Sequence, residues 1–408
     1  LQQQEGKFEL TSSATFKAAT PEAKGVAEFF VNKLKTSTGF ELAISETEGN
    51  IVLNIDPALE MHAEGYKLVV TPSGIEITAK APAGAFYGMQ TVLQLLPAEI
   101  ESKSVVKTDW TLPCVTIEDA PRFNYRGLMC DPCRHFMTVE EVKRQIDVMA
   151  MMKINTFHWH LTEDQGWRME IKKYPKLTEV GAVRTEGEGT THGGFYTQEE
   201  MKEVVAYAAE RFITVIPELE TPGHELAAIA AYPHLSCTGE DVTPRIIWGV
   251  EDLVMCPGKG DMFGFLEDVV KEMVEIFPSE YYHIGGDECP KESWKKCPDC
   301  QALIKKLGLK AKDGHTPEER LQSYVIGRME EMLAKYGKKI IGWDEILEGG
   351  LSPNATVMSW RGEEGGIASA RRSRDVIMTP GGNGMYIDAY QGDSKLEPVA
   401  IGGYTTLE

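Results

Sequence analysis

The stretch YYHIGGDE, residues 281–288, joins an apolar run to a pair of glycines and two consecutive carboxylates. The apolar run predicts a short buried strand, and the glycines let the chain turn sharply after it. We therefore expect Asp287 and Glu288 at the rim of a sheet or barrel. Two adjacent carboxylates in a partly enclosed site favour one protonated group, which a general acid needs. An Asp-Glu pair also begins many helices, so the stretch alone leaves both interpretations open.

The composition describes an acidic globular protein. Its 408 residues exceed what one small core needs, so two domains are expected. Hydrophobic residues make up 42% of the chain and charged residues 25%, as in ordinary globular proteins. The net charge of -20, without a concentrated basic segment, excludes a nucleic-acid partner. No apolar run is long enough to span a bilayer.

From about residue 119 the sequence alternates short apolar runs with amphipathic segments. Seven runs predict strands, at residues 125–130, 155–161, 213–219, 281–284, 339–343, 356–360 and 375–379. Helical periodicity occurs between them, at 139–152, 198–211, 263–276 and 318–336. Repeated β-then-α units indicate an α/β fold with a parallel sheet. Their number predicts a (β/α)8 TIM barrel over residues 119–408, although its eighth strand is not found.

Residues 1–118 predict a small α+β domain. Apolar residues repeat at helical spacing in 23–35 and 83–96, and strands are predicted at 51–55, 66–70 and 75–78. The last two strands read as a hairpin. Because this part of the sequence has no evident catalytic cluster, we expect an accessory domain.

Polar side chains follow the predicted barrel strands with regularity. Catalytic groups of TIM barrels gather at the carboxyl ends of the strands, and scattered surface polarity would not favour that end. The pattern therefore predicts an enzyme. In strand order the residues are Arg134 and His135; His158, His160, Glu163 and Asp164; Glu218, Glu220 and His224; Asp287 and Glu288; Trp343, Asp344 and Glu345; Trp360; and Tyr386 with Asp388.

Aromatic residues among them indicate a carbohydrate site. Trp343, Trp360 and Tyr386 predict an aromatic box, because sugar rings stack their apolar C–H faces on aromatic rings. Carboxylates and an arginine would bind the hydroxyl groups. Trp159 is expected to face the core, as most aromatic residues do.

The histidines leave a second interpretation of the predicted site open. An H-x-H pair at a strand end begins the metal site of some barrel hydrolases, so a metal-dependent hydrolase is an alternative. The pair is His158 and His160, and the residues that would complete the site are His192, His224 and His283.

The eight cysteines include two C-x-x-C pairs, Cys130/Cys133 and Cys297/Cys300. Their long separation in sequence argues against one four-thiolate zinc site. The expected structural uses are a small knuckle of Cys289, Cys297 and Cys300, a disulfide within that group, or a disulfide between Cys237 and Cys256.

Six motifs between residues 121 and 388 carry a family resemblance. In content and order they resemble glycoside hydrolase family 20, the β-N-acetylhexosaminidases, and especially its Bacteroides-type bacterial members. Residues before them resemble the accessory domain of that family. The motifs are PRFNYRGLMCDPCRHF (121–136), NTFHWHLTEDQGWR (155–168), PELETPGH (217–224), HIGGDE (283–288), IIGWDEIL (340–347) and VMSWRG (357–362).

The resemblance implies hydrolysis of terminal, non-reducing β-linked N-acetylhexosamine, GlcNAc or GalNAc, from glycoconjugates or oligosaccharides. It implies a retaining, substrate-assisted mechanism, in which the acetamido oxygen of the substrate attacks the anomeric carbon to form an oxazolinium intermediate. Glu288 would be the general acid and then the base. The other implied catalytic residues are Asp287 for the acetamide N–H, Tyr386 for the acetamide oxygen, and His224 with Glu163 as a relay to Glu288.

The same resemblance implies a set of substrate-binding residues. Arg134 would bind two sugar hydroxyls through its planar fork, and the two tryptophans would surround the acetyl group and the ring. The set is Arg134, Asp164, Trp343, Trp360 and Asp388. The resemblance implies no cofactor or site metal. It also implies a periplasmic or secreted protein whose signal peptide has been removed.

Three features depart from the family pattern. Glu163 and Glu220 stand where aspartate is more common, and Cys130 and Cys133 replace small or apolar residues. The eighth strand, with a Trp and a Glu that close the sugar pocket, is not found. Because an open barrel exposes strand edges, we expect low stability or homo-oligomers. A glycan-binding relic without catalytic activity is the main alternative.

Overall fold

The computed structural model describes residues 1–187, 189–350, 352–386 and 389–405. By its internal contacts the chain divides into two units: Leu1–Arg126 with Asp147–Ile154, and Gly127–Ile146 with Asn155–Glu408. The domain boundary at residue 118 stays a prediction. Within the described ranges, no helix combines the length and apolar character that a membrane crossing requires.

The first unit is built on one mixed seven-stranded sheet in the order β1-β7-β5-β6-β4-β2-β3. Three strand pairs are antiparallel: β1–β7, β7–β5 and β5–β6. The other three pairs are parallel: β6–β4, β4–β2 and β2–β3. The elements are β1 (Gln2–Glu9), β2 (Thr15–Ala18), α1 (Pro21–Thr38), β3 (Ala43–Ser45), β4 (Ile51–Ile55), β5 (Tyr66–Thr71), β6 (Gly74–Ala79), α2 (Pro82–Leu95), a 3-10 turn (Ala98–Glu101) and β7 (Thr111–Asp119).

Local sequence sets the limits of α1. The Thr20 side chain accepts a hydrogen bond from the N–H of Ala23, and Pro21 occupies the first helical position. The helix ends at Gly39, whose φ of 72° is left-handed and whose N–H donates to the carbonyl of Lys35. α1 and α2 pack against each other and against the sheet, with the rings of Phe30 and Phe86 5.2 Å apart.

The second unit contains a parallel seven-stranded sheet in the order β18-β17-β16-β15-β14-β9-β8. Its elements are β8 (Gly127–Cys130), α3 (Val139–Met151), β9 (Thr156–His160), β10 (Thr162–Glu163), β11 (Gly166–Trp167), α4 (Lys176–Glu179), β12 (Val183–Thr185), β13 (Thr191–Gly193), α5 (Gln198–Ala209), β14 (Thr214–Glu218), α6 (Leu226–Ala231), α7 (Asp261–Met273), β15 (Tyr281–His283), α8 (Glu292–Lys296), α9 (Pro298–Lys306), α10 (Pro317–Ala334), β16 (Lys339–Trp343), β17 (Thr356–Ser359), α11 (Glu364–Ala370) and β18 (Val376–Met378). Short 3-10 turns cover Pro233–Leu235, Asp344–Leu347 and Gly381–Asn383.

This parallel sheet confirms the predicted TIM-barrel fold class. All seven predicted strands are present, and each lies within the predicted range. Every residue of β9 is buried, as is usual for a parallel strand covered on both faces. Among the described residues β8 and β18 are the outer strands of the sheet, each with one strand neighbour.

Candidate active site

The seven parallel strands end at one edge of the sheet, and the predicted polar residues follow these ends. Residue register brings three of them together: Glu218, the last residue of β14, pairs with His160 of β9 on one side and with His283 of β15 on the other. Parallel pairing thus converts residues far apart in sequence into neighbours.

The glycine pair after β15 is required by close packing. Gly285 has a φ of 63° and Gly286 a φ of 93°, both left-handed. A Cβ atom on Gly285 would lie 1.6 Å from the Glu220 carboxylate. The turn places Asp287 and Glu288 at the site, where their side chains are 15% and 39% exposed. Glu288 therefore has the greater access to solvent.

His224 lies between two groups of carboxylates. Its Nε2 atom is 3.3 Å from Glu288 and 3.5 Å from Asp287. Its Nδ1 atom is 2.7 Å from Glu163 and 3.4 Å from Asp164. Burial lowers the pKa of His224, but Glu163 and Asp287 raise it more, so the pKa stands well above the usual value. His224 is consequently a buried cation, as a relay to Glu288 would require.

Two of the residues beside Asp287 are positioned by unusual backbone conformations. Glu288 has a φ of 42° and His224 a φ of 53°. Side chains other than glycine rarely occupy this left-handed region, and residues that do so are concentrated at functional sites. The two groups that face each other across 3.3 Å thus both carry backbone strain.

Arg134 is fixed by carboxylates on both sides. Its Nη2 atom is 2.9 Å from Glu163, and its Nη1 atom is 2.9 Å from Asp131. Burial raises the pKa of Glu163, but Arg134 and His224 hold it well below the usual range, so Glu163 is ionised. The Nε atom of Arg134 is buried without a hydrogen-bond partner among the described residues. The guanidinium also lies 5.1 Å from the ring of Trp248, a loop residue that no sequence signal identified.

Asp164 lies behind His224. It is completely buried, and one of its oxygens accepts a hydrogen bond from the N–H of Leu226 at 2.9 Å. Burial raises its pKa. Asp164 was predicted to bind substrate; it lies 3.4 Å from Nδ1 of His224 and away from solvent, and its role stays a prediction. Its position follows from the turn after β9, which points Glu163 and Asp164 inward.

Glu218 is a central contact whose role could not be predicted from the sequence. It is fully buried and accepts hydrogen bonds from His158 at 2.7 Å, from His160, and from the indole N–H of Trp343 at 3.0 Å. His283 lies 2.8 Å away. Burial raises the pKa of Glu218, but these imidazoles bring it well below the usual value. One ionised carboxylate therefore holds the ends of three strands.

Two further buried acids interact electrostatically with Asp287. Burial and the charge of Asp287 raise the pKa of Glu220 well above its usual value. The same two causes raise the pKa of Glu345 to about 8. Both acids are therefore protonated near neutral pH, and Asp287 is spared two additional negative charges.

The predicted aromatic residues come together. The ring of Tyr386 is 6.3 Å from that of Trp343 and 5.9 Å from that of Trp360. Trp360 donates its indole N–H to Glu345 at 3.0 Å. Burial raises the pKa of Tyr386, so it is a neutral hydroxyl donor. Trp159 is fully buried, as expected. The remaining predicted residue, Asp388, lies outside the described residues.

The histidines of the metal-hydrolase alternative do not form one group. His158, His160 and His283 surround Glu218, whereas His224 lies among the carboxylates described above. His192 accepts a hydrogen bond from the N–H of Phe136. His158, Glu218 and His283 do have ligand atoms within 4.8 Å of one another, but Glu218 already pairs with these imidazoles.

Comparison with known proteins assigns the chain to a family. The family model for the glycosyl hydrolase family 20 catalytic domain matches residues 123–408, and the model for domain 2 of the same family matches residues 1–120. A β-hexosaminidase of Porphyromonas gingivalis is 55% identical over 412 residues, which cover 100% of this chain and 52% of that protein. A β-hexosaminidase of Vibrio furnissii is 41% identical over 88% of this chain and 58% of its own length. The chain thus spans little more than half the length of these curated relatives.

Solved structures agree with this assignment. An exo-β-N-acetylglucosaminidase from Vibrio harveyi in complex with N-acetylglucosamine superposes with a TM-score of 0.83 at 36% identity, covering 95% of this chain and 60% of that one. A mutant Streptomyces plicatus β-hexosaminidase in complex with GlcNAc gives a TM-score of 0.84 at 32% identity, covering 99% and 77%. This chain belongs to glycoside hydrolase family 20.

Proposed function

We propose that this chain carries the catalytic site of a retaining β-N-acetylhexosaminidase that releases terminal β-linked GlcNAc or GalNAc from glycans. The observation that carries the proposal is the unpartnered Oδ1 atom of Asp287. This atom is buried and has no hydrogen-bond partner among the described residues. A buried carboxylate oxygen without a donor is costly, and the N–H of a substrate acetamide would supply that donor.

Asp287 would then orient the nucleophile. When it accepts the acetamide N–H, the acetamide oxygen turns toward the anomeric carbon, and intramolecular attack forms the oxazolinium ion. The negative charge of Asp287 stabilises the positive charge that develops on the ring nitrogen. Tyr386, as a neutral hydroxyl, would donate to the attacking oxygen. Trp343 and Trp360, which flank Tyr386, would enclose the acetyl group.

Glu288 would transfer the protons. It would protonate the glycosidic oxygen as the bond to the leaving group breaks, and it would then take a proton from the water that opens the oxazolinium ion. Its partial exposure fits contact with both the leaving sugar and water. His224, cationic and 3.3 Å away, would stabilise the carboxylate after the first transfer.

Hydrolysis of chitobiose and of a dinitrophenyl β-N-acetylglucosaminide by wild type, Glu288→Gln and Asp287→Asn tests the proposal. We expect Glu288→Gln to lose about 10²–10⁴-fold in kcat on chitobiose, whose leaving sugar needs protonation. The loss in kcat/KM should be much smaller on a dinitrophenyl glycoside, because its leaving group needs no proton and kcat/KM reports only the steps up to its departure. Asp287→Asn should lose activity on both substrates, because it acts on the nucleophile. The exposed Glu292→Gln, in α8, should match wild type.

The outcomes separate the alternatives. Equal kcat for wild type and Glu288→Gln on chitobiose would contradict the assigned role. GlcNAc binding by a wild-type chain that hydrolyses neither substrate would favour the glycan-binding relic. Activity abolished by a chelator would favour metal-dependent hydrolysis. Periplasmic or secreted location remains our proposal, and fractionation of cells that make the protein tests it.

A further inference from the structure

Four cysteine sulfurs meet beside the site. Cys237 and Cys256 lie between α6 and α7, Cys297 directly precedes α9, and Cys300 lies in its first turn. The sulfur of Cys256 is 3.5 Å from that of Cys300 and 3.8 Å from that of Cys297, and the Cys237 and Cys300 sulfurs are 3.8 Å apart. All four lie within 4.8 Å of one another.

These distances fit a metal site better than a disulfide pair. A disulfide brings two sulfurs to about 2.05 Å, and all eight cysteines are free thiols, so the disulfides considered from the sequence are not formed. With zinc–sulfur bonds of about 2.3 Å, sulfurs at the corners of a tetrahedron lie about 3.8 Å apart. The observed spacings are close to that value.

The backbone around the sulfurs also suits a metal. Cys297-Pro298-Asp299-Cys300 has the short C-x-x-C spacing of zinc knuckles. The N–H groups of Lys259 and Gly258 donate to the sulfurs of Cys256 and Cys300, as thiolates require. A Cβ atom on Gly258 would lie 2.2 Å from the nitrogen of Cys300, so only glycine permits this approach.

The surroundings exclude water from three of the four sulfurs. Cys256, Cys297 and Cys300 are buried, and Cys237 is half-buried. The cluster packs against Val254, Trp294, Ile304 and Leu321. The two C-x-x-C pairs of the sequence do not combine, because the Cys133 thiol instead donates to the carbonyl of His160.

We propose that Cys237, Cys256, Cys297 and Cys300 bind one zinc ion as a closed, tetrahedral four-thiolate site. Soft thiolate ligands in this geometry select zinc or iron. Since all four positions are protein ligands, no position is open to substrate, and the ion is structural. Binding releases the thiol protons, so the site forms from deprotonated cysteines.

The ion would join the two loops that carry the candidate catalytic groups. Met255, next to Cys256, donates its N–H to the carbonyl of Pro222, two residues before His224. Trp294, three residues before Cys297, donates its indole N–H to the carbonyl of Met255 at 2.9 Å. Hydrogen bonds therefore connect the segment after Glu288 and the segment before His224 to the residues that carry the four sulfurs.

Metal analysis of the purified chain tests the site without relying on the proposed activity. We expect one zinc per chain, eight titratable thiols after denaturation with a chelator, and one equivalent of Co²⁺ bound by the reduced apoprotein with tetrathiolate charge-transfer bands. Cys297→Ser and Cys300→Ser should lose the zinc and the Co²⁺ bands. Cys289→Ser, a buried thiol in the same cluster but outside the set of four, should keep both.

Four results would overturn the proposal. Fewer than eight thiols would reveal disulfides, and eight thiols without Zn²⁺ or Co²⁺ binding would reveal packed thiols only. Iron in place of zinc would overturn the identity of the ion, and zinc retained by Cys297→Ser would overturn the ligand set. Hydrogen exchange tests the link to the loops: segments 219–225 and 285–290 should exchange faster in Cys300→Ser than in Cys289→Ser, and equal rates would refute the link.

Discussion

Replacement of Glu218 by glutamine removes one oxygen and one charge from a buried carboxylate that contacts His158, His160, His283 and Trp343. The amide oxygen can still accept hydrogen bonds on one side, but the new NH2 group faces donors on the other side. If the NH2 group points toward β9, it faces His158 and His160, which then have no acceptor. All of these groups are buried, so water cannot replace the lost acceptor.

The expected cost follows from these contacts. A hydrogen bond to a charged group contributes about 1.5–3 kcal/mol, so two such bonds correspond to about 3–6 kcal/mol. Removal of one partner from a buried ion pair costs about 3–5 kcal/mol, which agrees. The lower end applies if His158 changes tautomer and accepts from the new amide. We therefore expect Glu218→Gln to destabilise the second unit by about 3–5 kcal/mol.

The pH dependence of this difference has a defined sign. The folded-state pKa of Glu218 is depressed, so its contribution is complete above the unfolded value of about 4.3 and is lost as the pH falls toward the folded value. Although burial lowers it, Glu218 and Asp131 raise the pKa of His160 to about 10. The contribution of His160 is complete below its unfolded value of about 6.5 and is lost as the pH rises through about 10. The difference between wild type and variant should peak between about pH 4.5 and 6.5.

Urea unfolding at several pH values measures this difference, with hydrogen exchange of β9 and β14 as a probe of the second unit alone. The control is Glu331→Gln, whose side chain is 73% exposed in α10, and we expect it to change stability by less than about 0.5 kcal/mol. A Glu218→Gln variant within about 1 kcal/mol of wild type near pH 6 would refute the reasoning, because the buried donors would then have found other acceptors.

Three further substitutions test neighbouring contacts. His224→Gln should lower kcat on chitobiose about 10²-fold with little change in KM, and a change confined to KM would contradict its position behind Glu288. Gly285→Ala should lower the free energy of unfolding by at least about 3 kcal/mol more than Gly308→Ala, as measured by thermal unfolding. Both glycines are left-handed, but an added Cβ atom would meet a neighbour only at Gly285. Equal losses would contradict the close packing. Glu345→Gln should stabilise the fold by about 1–3 kcal/mol at pH 8 and not at pH 4, because a folded pKa of about 8 disfavours folding increasingly above about pH 4.3. Equal stability of variant and wild type at pH 8 would contradict that raised pKa.

The barrel strands could be predicted from sequence because most of them are short apolar runs that polar residues follow. β1 could not be predicted, because its first six residues are all exposed and its burial pattern does not alternate. Edge strands exposed on both faces lack the periodicity on which such predictions depend. The capped helices α5 and α10 were also found, and each begins with a threonine and a glutamate three residues later that form a capping box.

The site could be predicted only as far as strand ends reveal it. The structure brings Asp287 and Glu288 within 3.5 Å of His224, and their roles stay predictions. The role of Glu218 depends on register across three strands, and no local pattern encodes that register. The same limit applies to the thiols. Cys237 and Cys256 have no C-x-x-C spacing, and only the folding of loops after adjacent strands brings them to Cys297 and Cys300.

The left-handed backbone at Glu288 and His224 has a consequence for sequence variation at the site. A non-glycine residue in that conformation costs about 1–3 kcal/mol, and the surrounding fold has to supply this free energy. Glycine or asparagine would fit position 288 with less strain, yet neither provides a carboxyl group. Selection for thermostability alone would therefore move this position away from glutamate, whereas selection for turnover would hold it there. If Glu288 has the proposed acid/base role, a substitution at this position in an engineered descendant would gain stability only by losing activity.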